Sequence, residues 1–163
     1  MCCPDYRDWP ALDKRPKTLI LGIGNILLRD EGIGVRVIEH LRKENLPEDV
    51  ELVDGGTAGA DLIDVLSDRQ TVLIIDAVEY DASPGTVLRL SEQDLSVHEQ
   101  GPLSLHDLNI PQTLSMTRLL GCAPRSVILY GVVPQTVEPG MDLSESLAPL
   151  VPLIAQKVLN ETR

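Results

Sequence analysis

The sequence predicts an α/β fold, a three-layer α/β/α sandwich around a twisted, mostly parallel central sheet of about five strands. Three observations predict it. Short apolar runs alternate with segments of helical period along most of the chain. One of those runs, TVLIIDAVEY, is almost continuously aliphatic up to Ile75, as a strand covered on both faces would be. The apolar residues are mainly Leu, Ile, Val and Ala, and Phe is absent, so the core is aliphatic and suits a parallel sheet.

Residues 1–17 contain Cys2-Cys3-Pro4, Trp9-Pro10 and Arg15-Pro16 without a sustained period, and read as a flexible amino-terminal extension. Residues 18–163 read as one domain, which a chain of 163 residues accommodates. The first strand is expected at 18–22, ending in the glycine turn GIGN. From Glu31 onward Val37, Ile38 and Leu41 form an apolar stripe with Arg36, Glu39, Arg42 and Lys43 facing out, which predicts a helix. Residues 50–53 predict a second strand leading into Asp54-Gly55-Gly56-Thr57, and AGADLIDVLS a second helix.

The strand TVLIIDAVEY is expected to end near Asp76, where the apolar run yields to a loop. Residues 86–90 suit a short strand of open direction, after the Pro84-Gly85 turn. The polar stretch 91–108 reads as a surface or substrate-facing loop, and 108–120 as a helix interrupted early by Pro111. SVILYGVV is another buried strand. In the final helical segment Ser144 is a candidate N-cap, although Pro149 and Pro152 weaken the helix front.

A net charge of -11, without Lys-rich blocks, makes nucleic acid a poor partner. No run approaches the roughly 20 apolar residues of a membrane span. The opening residues lack the apolar region of a signal peptide, so a cytoplasmic protein is expected. Three cysteines, two of them adjacent, do not make a disulfide framework or a zinc knuckle. A monomer is the default from size.

GIGNILLRDEGIG admits two readings. Gly22 and Gly24 after a strand, with Asp54 closing a second strand, allow a nucleotide site. The third glycine of a dinucleotide fingerprint is replaced by Leu27, and a Gly-Lys-Ser/Thr ending is missing, so that signal is weak. The other reading is metal chemistry. Asp30 and Glu31 lie near the predicted helix start, where one can cap the helix and the other face a cation. Asp76 at the end of a strand can turn into the crevice that such sheets form, or bond to loop amides.

His106 completes a carboxylate and imidazole set suited to nickel, cobalt or zinc. His40, on a polar helix position, and His98, in an acidic loop, read as surface, with His98 a possible replacement for His106. Cys122 reads as a structural thiol in a turn.

The motifs LILGIGNILLRDEGIGVRVIEHL, LVDGGTAG, VLIIDAVEY, SLHDL and LYGVVPQTVEPGMDLSESL, in this order, resemble the hydrogenase maturation endopeptidase family. The resemblance covers most of 19–159. It implies a cytoplasmic, aspartyl-protease-like hydrolase that removes the carboxyl-terminal extension from the nickel-loaded precursor of a nickel-iron hydrogenase large subunit. By their places in the motifs, Glu31, Asp76 and His106 correspond to the family's nickel-binding glutamate, aspartate and histidine. Asp54 corresponds to the aspartate of its DGGT loop, either facing substrate or securing the turn. The nickel is carried by the precursor, and no permanently bound cofactor is expected; the chain lacks HExxH and GxSxG. A non-enzymatic nickel chaperone for hydrogenase assembly is the alternative, ahead of a nucleotide-binding protein.

Overall fold

A computed structural model describes residues 15–56, 62–97, 103–104 and 110–163. Five strands form the main sheet in the order β2-β1-β3-β6-β4: β1 (Thr18–Ile23), β2 (Val50–Gly56), β3 (Thr71–Glu79), β4 (Val87–Ser91) and β6 (Ser126–Val132). β1, β2, β3 and β6 are parallel, and β4 runs antiparallel to β6, which settles its direction. A two-residue strand, β5 (Leu103–Ser104), pairs antiparallel with the end of β3. The α/β sandwich read from the sequence is therefore the observed architecture.

Side-chain alternation divides the core into two layers. On one face Ile20, Leu73, Ile75 and Tyr130 pack with α1 (Ile33–Leu41) and α5 (Leu150–Asn160). On the other, Leu19, Leu21, Ile74 and Leu129 pack with α2 (Leu62–Leu66) and α4 (Ile110–Leu119). The stripe expected on α1 is real, since Val37, Ile38 and Leu41 are fully buried. Arg69, buried, ties α2, β2 and the segment before β1 together by donating to the Val65 and Pro16 carbonyls and pairing with Glu51 on β2.

Four local details differ from the sequence expectation. Of the expected extension, residues 1–14 lie outside the described residues, whereas 15–17 are attached: Arg15 bonds Asp64, and the Lys17 carbonyl accepts from Gln70 and Thr71. The polar stretch after β4 contains a helix, α3 (Glu92–Val97), entered by a reciprocal cap in which Asp94 accepts from the Ser91 amide and hydroxyl. Pro111, Pro149 and Pro152 interrupt nothing, because each lies at or within the first turn of its helix, where an N–H has no intrahelical partner. Ser144 does not cap α5, which starts six residues later behind Pro149.

α1 lies unusually close to the sheet. A Cβ added to Gly34 would stand 2.3 Å from the carbonyl oxygens of both Ile23 and Ile75, and one on Gly22 would stand 2.3 Å from the Gly34 oxygen. The helix thus rests backbone on backbone, and the obstructing atoms cannot move without breaking the strands. Gly34→Ala is expected to cost more than about 3 kcal/mol in urea unfolding or to prevent folding. Gly121→Ala, at φ +73 with no atom within 4 Å, should lose only about 1–2 kcal/mol.

Candidate active site

From β1 the chain moves through α1 to β2 on one side, then returns through α2 to β3 on the other. The boundary between β1 and β3 is therefore the switch point, beyond whose carboxyl ends an open α/β sheet has its crevice. Gly22 is level with Asp54 on β2 and Ile75 on β3, so the three strand ends lie side by side.

Asp76 is the first residue of β3 past its pairing with β1. It is not where the strand stops, as the sequence suggested. β3 continues to Glu79 because β6 pairs with it up to Ala77 and β5 pairs with Val78 and Glu79. Asp76 is 1% exposed and shares the α2 and α4 face with Ile74 and Val78. Its lateral neighbour is Gly131, where an added Cβ would stand 2.8 Å from Val78, so only glycine fits beside it.

Glu31 does not begin α1. It belongs to a 3-10 turn, Arg29–Gly32, that precedes the helix and packs against β3. Its side chain is buried, with 5% exposed. Two contacts place this turn over the strand ends. Gly24, at φ +148, passes beneath it so closely that a Cβ would stand 2.1 Å from the Glu31 carbonyl oxygen, and the Gly24 amide donates to Gly56 on β2. The turn begins at Arg29, a non-glycine residue at φ 49, a conformation that costs about 1–2 kcal/mol and persists only where surroundings hold it. Here the Arg29 amide donates to the Gly140 carbonyl, and its side chain bonds the Asp142 carbonyl and Glu138.

Asp30 is the residue of this turn that the sequence left undecided. Fully buried, it accepts from the Gln135, Thr136 and Ser144 amides and from the Ser144 hydroxyl, at 2.7–3.0 Å. Burial pushes its carboxyl up, but the Ser144 bonds, with those from Thr136 and Gln135, outweigh that and hold it below the ordinary carboxylate range. Its donors are more than 100 residues away in sequence, so no local pattern could reveal them.

Asp54 is exposed at the rim. One carboxylate oxygen accepts from the Gly56 amide at 2.9 Å, fixing a turn in which Gly56 has φ +46. The structure thus brings Glu31 and Asp76 to the switch point and leaves Asp54 on the adjoining strand end. His106 and His98 lie outside the described residues; two positions before His106, Ser104 pairs with Val78. Among the described residues, no group of three or more His, Cys, Asp or Glu side chains is arranged to hold a metal ion.

The family described as hydrogenase maturation protease, HycI, matches residues 35–161. The chain belongs to this family. The hydrogenase 2 maturation protease of Escherichia coli is 36% identical over 149 residues, covering 90% of this chain and 91% of its own. The solved structure of the hydrogenase maturating endopeptidase HybD from E. coli superposes with a TM-score of 0.82 at 37% identity, over 90% of this chain and 92% of that one. A hydrogenase 2 maturation peptidase from a Thaumarchaeota archaeon gives 0.69 at 30% identity, over 90% and 97%.

Membership in this maturation protease family makes the protein a peptide hydrolase. The Gly24 amide is spent on Gly56, and Gly22 and Gly34 face one another's backbone, so these glycines serve close packing rather than a phosphate. Cys122 lies at the opposite edge of the sheet from Asp76, where Ser67 donates to its sulfur and its carbonyl accepts from Asp68. His40 stays on the outer surface of α1, 4.0 Å from Glu44. No described helix is long and apolar enough to cross a membrane.

The depressed Asp30 carboxyl carries a pH signature. Its folded-state pKa lies below the unfolded value of about 4, so the stability it contributes is complete above that value and is lost as pH falls through the lower one. The difference in unfolding free energy between wild type and Asp30→Asn should shrink between about pH 6 and about pH 3 in urea melts. A difference that stays constant over this range contradicts the assignment.

Proposed function

We propose that this protein is the endopeptidase that removes the carboxyl-terminal extension from the nickel-loaded precursor of a nickel-iron hydrogenase large subunit. The observation that supports it best is the placement of two buried carboxylates, Glu31 and Asp76, at the switch point of the maturation protease fold. Removing carboxylates from water is costly, and a divalent cation offsets that cost. His106 supplies an imidazole as the third contact. The nickel arrives with the substrate, held by precursor cysteines, and the enzyme carries no permanent cofactor.

Glu31, Asp76 and His106 then read the metal and, through it, fix the scissile peptide against an attacking water. Water adds to the peptide carbonyl carbon and the leaving amine takes a proton as the C–N bond breaks. Asp54, on the rim beside the crevice, is placed to orient the peptide while it holds the Gly56 turn. The same proposal includes action in the cytoplasm as a monomer, which rests on the family resemblance and the chain's size. A nickel chaperone would use the same contacts without cleavage, and membership in a protease family favours hydrolysis.

Nickel-loaded and metal-free precursors incubated with the purified protein, and read by product mass, test the proposal. Loss of the extension is expected only from the loaded precursor. Glu31→Gln, Asp76→Asn and His106→Ala should each slow it by about tenfold or more with the circular dichroism spectrum kept. Equal cleavage of both precursors, or full activity in all three variants, would overturn the metal-reading mechanism.

A further inference from the structure

The acid next to Glu31 is held by four donors, all from residues 135–144. Of the two Asp30 oxygens, Oδ1 accepts from the Ser144 amide, and Oδ2 accepts from the Gln135 and Thr136 amides and the Ser144 hydroxyl. Four donors on a fully buried carboxylate exceed what joining two segments requires, because backbone bonds already join them: Arg29 to Gly140, and Gly140 to Leu27. The surplus falls on one residue of a turn that starts from a strained Arg29. Successive residues of a 3-10 turn point roughly 120° apart, so anchoring Asp30 also sets the direction in which the Glu31 Cα–Cβ bond leaves the turn.

We propose that Asp30 is a positioning residue for the peptidase reaction: locked by residues 135–144, its carboxylate sets the 3-10 turn and presents Glu31 to the nickel of the substrate. The two neighbouring acids divide the work. Asp30 is fully buried and takes its four donors from the protein, and Glu31 is oriented by it. Ser144, giving two of the four bonds, belongs to the same device. This inference rests on the reading of Glu31 as a contact to nickel.

A double-mutant cycle tests it, measuring kcat/KM for cleavage of purified nickel-loaded precursor. Wild type, Asp30→Asn, Ser144→Ala, Glu31→Gln and the Ser144→Ala/Glu31→Gln double variant are compared at a temperature well below the lowest Tm. Ser144→Ala keeps the amide bond to Oδ1 and removes only the hydroxyl, so it remains folded if Asp30→Asn does not. Loss of a residue that orients a metal contact lowers activity by about 10–100-fold, so Asp30→Asn should fall in that range and Ser144→Ala near its lower end.

In the Glu31→Gln background, Ser144→Ala should cause no further loss, because an effect that acts through Glu31 cannot be exerted twice. Glu31→Asp replaces Glu31→Gln in the cycle if the latter is too slow to measure. Equal losses in both backgrounds reduce Asp30 and Ser144 to general stabilisers and overturn the proposal, as does wild-type activity in folded Ser144→Ala. Wild-type activity in Glu31→Gln instead sinks the reading of Glu31, which separates the two failures.

Discussion

The contact on which the rest of the structure depends is between backbones. Gly34 in the first turn of α1 touches Ile23 and Ile75, and Gly22 in β1 touches Gly34 in return. Any side chain at either position would lift the helix from the sheet and with it the turn that precedes it. The close seat lets Ile33, Val37 and Ile38 reach the sheet interior. It also brings the segment before the helix over the ends of β1 and β3, where Asp76 lies. Packing and site are set by the same pair of residues, and a glycine loop that suggests a nucleotide serves a closely packed protease crevice.

Charge is distributed in that crevice with a clear division. Asp30 has its burial compensated within the protein by short hydrogen bonds from one loop, which keeps it ionised. Asp54 stays in solvent and spends part of its acceptor capacity on its own turn. Glu31 and Asp76 are buried where the sheet opens, and they are the carboxylates that the proposed function gives to the metal of the substrate. Three elements distant in sequence meet there: the segment at 24–32, the end of β3 and the loop at 134–144.

Much of this was legible in the sequence, for physical reasons that vary by element. Continuous aliphatic runs identified β1, β3 and β6, because runs this short and this rich in Val, Ile and Leu suit strands covered on both faces. The period of Val37, Ile38 and Leu41 identified α1. The length of β3 was misjudged because Asp76 resembles a loop residue, and the strand continues past it only through pairing with β5 and β6. The cap of α3 was readable from Ser91 and Asp94 at their spacing of three, but was hidden in a polar stretch. The role of Asp30 was not readable, since nothing near it marks Ser144 as its partner. The candidate site was legible mainly through ordered motifs, and only Glu31, Asp54 and Asp76 have described positions.

The bond between Asp30 and Ser144 spans 114 residues. Synthesis on a ribosome therefore exposes Asp30 long before its donors exist, and the chain must hold an uncompensated acid in water until the loop at 135–144 emerges. That loop follows β6 and precedes α5, which completes the core layer over α1. A chain cut short after β6 would have every described strand of the sheet but lack the bonds that seat the turn ahead of α1.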